Sequence, residues 1–408
     1  MPLPCVWPLL GYPAPKVQPR VLYPRVFHHR ARRPRVWRNK SHACSHQYPT
    51  EDPKNSTAAV TRQSRELAAT LARPELLALE PYQSARRLGG QGEVWINANE
   101  SPFNHTDIDR VNRYPECQPP EVIAAYAAYA GVSDLQLICS RGADEAIELL
   151  IRTFCTPGAD SIALFGPTYG MYAISAATFN VEVKTLSLDD NFQLPKALTQ
   201  AQGAKLLFIC NPNNPTGTWV SQGEILRVLE AMPDTLVVVD EAYIEFSPEL
   251  SAVSLLKEYP NLVVLRTLSK AFALAGARCG FMLANEGIIE MVKQVLAPYP
   301  VPVPVAHLAA LALSPEGIAR MQADVALLKT QGQRVAAALE RLGARVLPSG
   351  GNYLLAYFAD APKVREQLQR FGIVARSYRD PRLVDAIRFS FSDDSDTERL
   401  LAALSQMQ

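Results

Sequence analysis

From about residue 95, short apolar and β-branched runs recur along the chain. Each is followed by Gly, Pro or polar residues and then by a stretch with helical spacing. Residues 135–139, 161–165, 181–185, 205–210, 235–239 and 262–265 are such runs, and 121–129 and 143–154 read as helices. Strands this apolar are buried on both sides. Their alternation with helices predicts an α/β fold built on a mostly parallel central sheet flanked by helices. Ligands of such sheets bind beyond the carboxyl ends of the strands, so the residues that follow each run carry the functional information.

The pattern changes after Lys293. The segment Ala297-Pro-Tyr-Pro-Val-Pro-Val-Pro304 is too proline-rich for regular structure and marks a hinge. Beyond it, a long helix over 314–342, strands over 352–358 and 386–391, and helices over 361–371 and 396–407 predict a smaller α+β C-terminal domain. The expected organisation is an N-terminal extension over 1–59, an arm over 60–110, a large domain over 111–298 and a small domain over 299–408.

The extension has neither a period of 2 nor one of 3.6, and is rich in proline and basic residues. Residues 1–50 hold nine of the 41 Lys and Arg and no Asp or Glu, which leaves the rest of the chain mildly acidic. It reads as disordered. A nucleic-acid arm, a transit peptide and a signal peptide each fit it less well than an over-long gene call with the natural start near Val60. The acidic body gives no reason to bind nucleic acid, and no run of about 18 apolar residues offers a membrane span. The seven cysteines form no C-x-x-C pair and read as reduced buried thiols of a cytosolic, cytoplasmic protein, with no metal site.

Four strand ends carry polar groups suited to one cofactor, pyridoxal 5'-phosphate (PLP). The run ending at Leu265 leads to Ser269 and Lys270, an amine set among small and apolar residues, as covalent bonding to PLP requires. Asp240, in Asp240-Glu-Ala-Tyr243, is the carboxylate expected to hold the pyridine nitrogen protonated. Asn211, opening Asn211-Pro-Asn-Asn-Pro-Thr-Gly217, and Tyr243 are the expected donors to the phenolate oxygen. The helix start at Gly142-Ala143-Asp144, with Ser269 and Arg278, suits the phosphate. Tyr169 supplies a flat face for the ring. Singly these are ordinary turns, caps and packing residues; their order along the chain, about one strand–helix–strand unit apart, is what points to PLP.

These residues resemble the fold-type-I PLP aminotransferases. Within them, Pro81-Tyr-Gln-Ser-Ala-Arg-Arg-Leu-Gly-Gly90, Asn97-Ala-Asn-Glu100, Arg113-Tyr-Pro-Glu-Cys-Gln118, Ser140-Arg-Gly-Ala-Asp-Glu145 and Arg266–Gly280 are similar to the histidinol-phosphate aminotransferase family, over roughly residues 75–405. The resemblance implies transamination between glutamate and imidazole-acetol phosphate in histidine biosynthesis, giving histidinol phosphate and 2-oxoglutarate, with Lys270 as the general base. It implies a homodimer in which Tyr114 reaches the PLP phosphate of the neighbouring subunit. It also implies that Arg388 grips the substrate α-carboxylate, that Arg376 binds the substrate phosphate, and that Asn352 and Tyr82 lie near the substrate. The residues after Arg388, Phe389-Ser-Phe391-Ser392, depart from the family's usual strand ending in Gly. An aminotransferase of aromatic amino acids and a threonine-phosphate decarboxylase are the alternatives on the same scaffold. A PLP-sensing transcription regulator would need a helix-turn-helix module, and residues 1–60 contain none.

Overall fold

The apolar runs assemble into a seven-stranded sheet in the computed structural model, which describes residues 53–407 apart from 81, 83, 86–88 and 90–92. The expectation for residues 1–52 lies outside the described residues, as does much of the 81–90 motif. The described chain opens on α1 (Pro53–Leu71), followed by α2 (Pro120–Ala130), β1 (Leu137–Ser140), α3 (Ala143–Phe154), β2 (Ser161–Gly166), α4 (Met171–Thr178) and β3 (Glu182–Ser187). Then come β4 (Leu206–Cys210), α5 (Gln222–Ala231), β5 (Leu236–Asp240), β6 (Leu262–Thr267), β7 (Gly280–Ala284), α6 (Glu286–Val292) and α7 (Val303–Ala312).

The strand order is β1-β7-β6-β5-β4-β2-β3. Strands β6, β5, β4, β2 and β3 run parallel, and β7 lies antiparallel between β1 and β6. Every residue of β4, β5 and β6 is buried, which is why these strands read as unbroken apolar runs. Each fully buried Val or Leu contributes about 1.5–3 kcal/mol, so the strand ends that carry the site stand on a stiff platform. One face of the sheet packs against α2, α5 and α7, the other against α1, α3, α4 and α6.

Two expectations change. Residues 53–59, read as part of a disordered extension, belong to α1. That helix starts at Pro53, where a missing N–H costs no hydrogen bond, and it buries Ala68 and Leu71 against the sheet layer. It lies so close to α6 that a Cβ at Gly287 would come within 2.4 Å of the Arg65 nitrogen, and Arg65 bonds Glu290 at 2.9 and 3.0 Å. The proline run at 297–304 does not only break structure, because Pro302 caps α7 and a proline occupies its first turn.

A second, antiparallel sheet has the order β10-β11-β9-β8. It comprises β8 (Arg345–Val346), β9 (Tyr353–Tyr357), β10 (Arg376–Ser377) and β11 (Ala386–Ser390), and it packs with α8 (Pro315–Arg341), α9 (Ala361–Arg370) and α10 (Asp394–Ser405). The two sheets are tied at the site. Gly350 donates to the Gly217 carbonyl at 2.9 Å, and the Tyr353 hydroxyl donates to the Asn213 carbonyl at 2.6 Å. The unusual Phe391 packs its ring on Gly332 of α8, where any Cβ would come within 2.4 Å of it.

Candidate active site

Side-chain alternation decides what reaches the carboxyl edge. Cys210 pairs in register with Asp240, and both point to the same face of the sheet as Val238 and Phe208. Asp240 is 2% exposed. Its Oδ2 accepts from the Tyr172 hydroxyl at 2.6 Å and its Oδ1 from the Ala242 N–H at 3.1 Å. Burial pushes its carboxyl up to about 6, against the pull of these two donors.

The loop from β6 into β7 brings the next groups. Thr267 lies opposite Gly280 in the antiparallel pair, and Gly280 lies opposite Ser140 at the end of β1. The loop therefore closes directly over the N-terminus of α3. A Cβ on Gly280 would stand 2.6 Å from the Ala143 nitrogen, and one on Gly142, at φ +89°, would stand 2.8 Å from the Arg278 guanidinium. Arg278 donates to the Ser269 hydroxyl at 3.3 Å and to the Asp144 carboxylate at 3.0 Å. Backbone amides at a helix start, the Ser269 hydroxyl and a guanidinium thus meet in one small space, which is the donor set a phosphate requires.

Lys270 sits on the same loop with its Nζ 5.3 Å from the centre of the Tyr243 ring. Its side chain is exposed to the cavity. The protein atoms around the amine still strip enough water to lower its pKa, and Arg388 lowers it further. Tyr169 lines the cavity with its hydroxyl on Asp144 at 2.9 Å, and Tyr243 lines it too.

Asn211 is the expectation the structure corrects. It is fully buried, and both ends of its amide are spent on Val220: Nδ2 donates to the Val220 carbonyl at 3.1 Å, and Oδ1 accepts from the Val220 N–H at 2.9 Å. It anchors the turn instead of facing the cavity. Asn214, three residues on, lines the cavity. It donates to the Tyr243 hydroxyl at 3.3 Å and accepts from Arg388 at 2.6 Å. With several asparagines in one turn motif, only the fold of the turn distinguishes them. Tyr172 was also missed, being an aromatic residue at helix spacing that reads as core.

Among the arginines of the last third, Arg376 and Arg388 line the cavity. Arg382 is instead held by the carbonyls of Leu188 and Asp189, and Arg370 pairs with Glu366. Arg376 and Arg388 face each other across the β10–β11 register. Like charges directly opposite are unfavourable, a cost that an anionic ligand offsets. The Arg388 Nε is buried without a protein hydrogen-bond partner. Tyr114, Tyr82 and Asn352 do not line this cavity. Tyr114 stacks on Tyr299 at 4.4 Å and borders a separate groove, Tyr82 is exposed, and Asn352 accepts from the Phe391 N–H through its carbonyl.

The cavity holds about 640 Å³. Lys270, Arg278, Arg376 and Arg388 line it beside the carboxylates of Asp144, Asp240 and Asp380, of which Asp240 is the buried one. A flat ring with a basic nitrogen at one end and a phosphate at the other matches these groups in type and arrangement, so the residues present fit PLP.

A model of aminotransferases of class I and II matches residues 81–404. The histidinol-phosphate aminotransferase of Shewanella amazonensis is 62% identical over 347 residues, which are 84% of this chain and 96% of that protein. Among solved structures, histidinol-phosphate aminotransferase from Sinorhizobium meliloti in complex with pyridoxal-5'-phosphate aligns with a TM-score of 0.66 at 24% identity, covering 72% of this chain and 82% of that one. L-threonine-O-3-phosphate decarboxylase from Porphyromonas gingivalis aligns with a TM-score of 0.63 at 22% identity, covering 72% and 90%. These structural likenesses establish the shared fold-type-I architecture.

Proposed function

The chain belongs to the class I and II aminotransferase family, and on that premise we propose that it is a PLP-dependent histidinol-phosphate aminotransferase. It moves the amino group of glutamate onto imidazole-acetol phosphate in histidine biosynthesis, giving histidinol phosphate and 2-oxoglutarate. The observation that carries the substrate reading is the register of Arg376 opposite Arg388, both lining the cavity. Two guanidiniums side by side suit a substrate with two anionic groups, and they suit glutamate and a phosphate-bearing partner in turn.

PLP, when bound, supplies the electron sink for the bond broken at the substrate's amino-bearing carbon. The chain's residues do the rest. Ala143 and Asp144 through their backbone N–H groups, with Ser269 and Arg278, hold the phosphate. Asn214 and Tyr243 donate to the ring oxygen, Asp240 keeps the ring nitrogen protonated, and Tyr169 covers one face. Arg388 orients the substrate carboxylate and Arg376 the distal anion. Lys270 takes the proton from the amino-bearing carbon, a role its lowered pKa favours. The seven-stranded sheet with its helices, α7 included, serves as the PLP domain, and the antiparallel sheet with α8, α9 and α10 as the small domain, so the division falls later than residue 299.

The active unit is a homodimer in the cytoplasm. Tyr114, Ile108 and Leu308 support that reading, since these large apolar side chains border one groove and stay exposed in the single chain. In the dimer Tyr114 reaches the neighbouring cavity's phosphate.

The test is turnover of histidinol phosphate with 2-oxoglutarate, measured beside phenylalanine and beside release of carbon dioxide from phosphothreonine. Histidinol phosphate should exceed the others by about 100-fold or more in kcat/KM, the discrimination expected of one well-used charged contact. A preference for phenylalanine, or carbon dioxide release, replaces this reading with one of the alternatives.

A further inference from the structure

Asp240 is held by a residue outside the cavity. The Tyr172 hydroxyl donates to its Oδ2 at 2.6 Å, and Tyr172 is fully buried. Its ring is fixed from two sides. It stacks on Phe208 at 4.7 Å and 15°, and it meets the edge of Tyr169 at 5.6 Å and 83°. Tyr169 stands just before α4 and Tyr172 in its first turn, and it is the ring contact that makes them neighbours. One bonds Asp144 beside the phosphate cradle; the other bonds Asp240 at the opposite end. No water can replace a donor that has no exposed surface.

We propose that Tyr172 is a positioning residue of the active site: its hydroxyl keeps the buried Asp240 ionised and aimed at the ring nitrogen of PLP. The inference rests on the reading of the cavity as a PLP site. Without this hydroxyl, Asp240 keeps one donor, the Ala242 N–H. A buried carboxylate with so little support takes up a proton, and a neutral acid cannot hold the ring nitrogen protonated. Burial keeps the phenol itself protonated, well above its usual range, so it acts as a donor throughout. The other titratable groups facing Asp240 are Asp144, Lys270, Cys210, Tyr169 and Tyr243. All of them remain in place when only the hydroxyl is removed.

The experiment compares the wild type, Tyr172→Phe and Phe208→Leu, each stripped of cofactor and titrated with PLP from about pH 5 to 9. Tyr172→Phe keeps the ring and its stacking, and Phe208→Leu disturbs the stacking but keeps the donor. PLP affinity falls on the acid side as Asp240 takes up its proton. In Tyr172→Phe the midpoint of that fall should move up by about one pH unit, the equivalent of one hydrogen bond to a charged group. In Phe208→Leu it should stay at the wild-type value, even if affinity drops at every pH. Because Lys270 is common to all three proteins, its own titration cancels in the comparison. An unmoved midpoint in Tyr172→Phe, or an equal shift in Phe208→Leu, overturns the positioning role. Failure of the wild type to bind PLP at any pH overturns the cavity reading and this inference with it.

Discussion

Asp240 and Glu241 are consecutive, and the alternation at the end of β5 sends them to opposite faces of the sheet. Glu241 is fully buried and fully used. Arg266 donates to it at 2.9 Å, Ser251 at 3.0 Å and the Ala252 N–H at 2.5 Å. Asp240 has one side chain and one backbone donor, and the remainder of its carboxylate faces a cavity. One acid is satisfied by the fold, whereas the other waits for a ligand. The sheet that stabilises the first holds the second at a cost, which is how a site stores the capacity to bind.

The contrast breaks most sharply at Glu241. Glu241→Ala leaves Arg266 buried without its partner and should destabilise the cofactor-free protein by about 3–5 kcal/mol, or prevent folding, as urea unfolding would register. Asp240→Asn should act in the opposite direction. The Asp240 carboxyl is raised from 3.8 to about 6 in the fold. Its contribution to stability is therefore complete below about pH 4 and is lost as pH rises through about 6. At about pH 8 the variant should be more stable than the wild type without cofactor, by at most roughly 3 kcal/mol, and the difference should vanish near about pH 4. Its turnover should fall by about 10³-fold. A variant less stable than the wild type at both pH values would show that Asp240 is as structural as Glu241.

The next effects lie at the other end of the cavity. Arg376→Ala should raise KM for histidinol phosphate by about 10- to 100-fold with a smaller change for glutamate, since only one anionic contact is lost. The two asparagines give the smallest contrast. Asn211→Ala should cost about 1–3 kcal/mol of stability by leaving the Val220 backbone groups unpaired, with KM for PLP largely kept. Asn214→Ala should leave stability within about 1 kcal/mol and weaken PLP binding about 10-fold.

The positions of these residues were legible in unequal measure. The strands that carry Cys210 and Asp240, and the one that leads to Lys270, were visible because a strand buried on both faces has no polar residues to blur its ends. The helix 143–154 was found with its bounds because Gly142 marks its start. Strand β7 was not separated from the motif that precedes it. It is apolar like the others, but it runs the opposite way, and direction leaves no mark in composition. α1 was missed because its buried apolar positions, Ala68 and Leu71, are few and its partner α6 is distant in sequence. The choice of Asn214 over Asn211 depends on how a turn folds back on Val220, a contact nine residues away that residue types alone do not specify. Tyr172 was hidden by its own burial, since an aromatic ring in a helix reads as core until its hydroxyl is located.

The central claim is that Lys270, at the closed end of the β6–β7 loop, is the residue that bonds PLP and moves the proton. Lys270→Ala tests it most directly, read by the visible absorbance of the bound cofactor and by turnover of histidinol phosphate on the same sample. The account predicts loss of the lysine-bound absorbance together with a fall in turnover of about 10⁴-fold or more, in a protein that still folds. Absorbance and turnover near those of the wild type would contradict it.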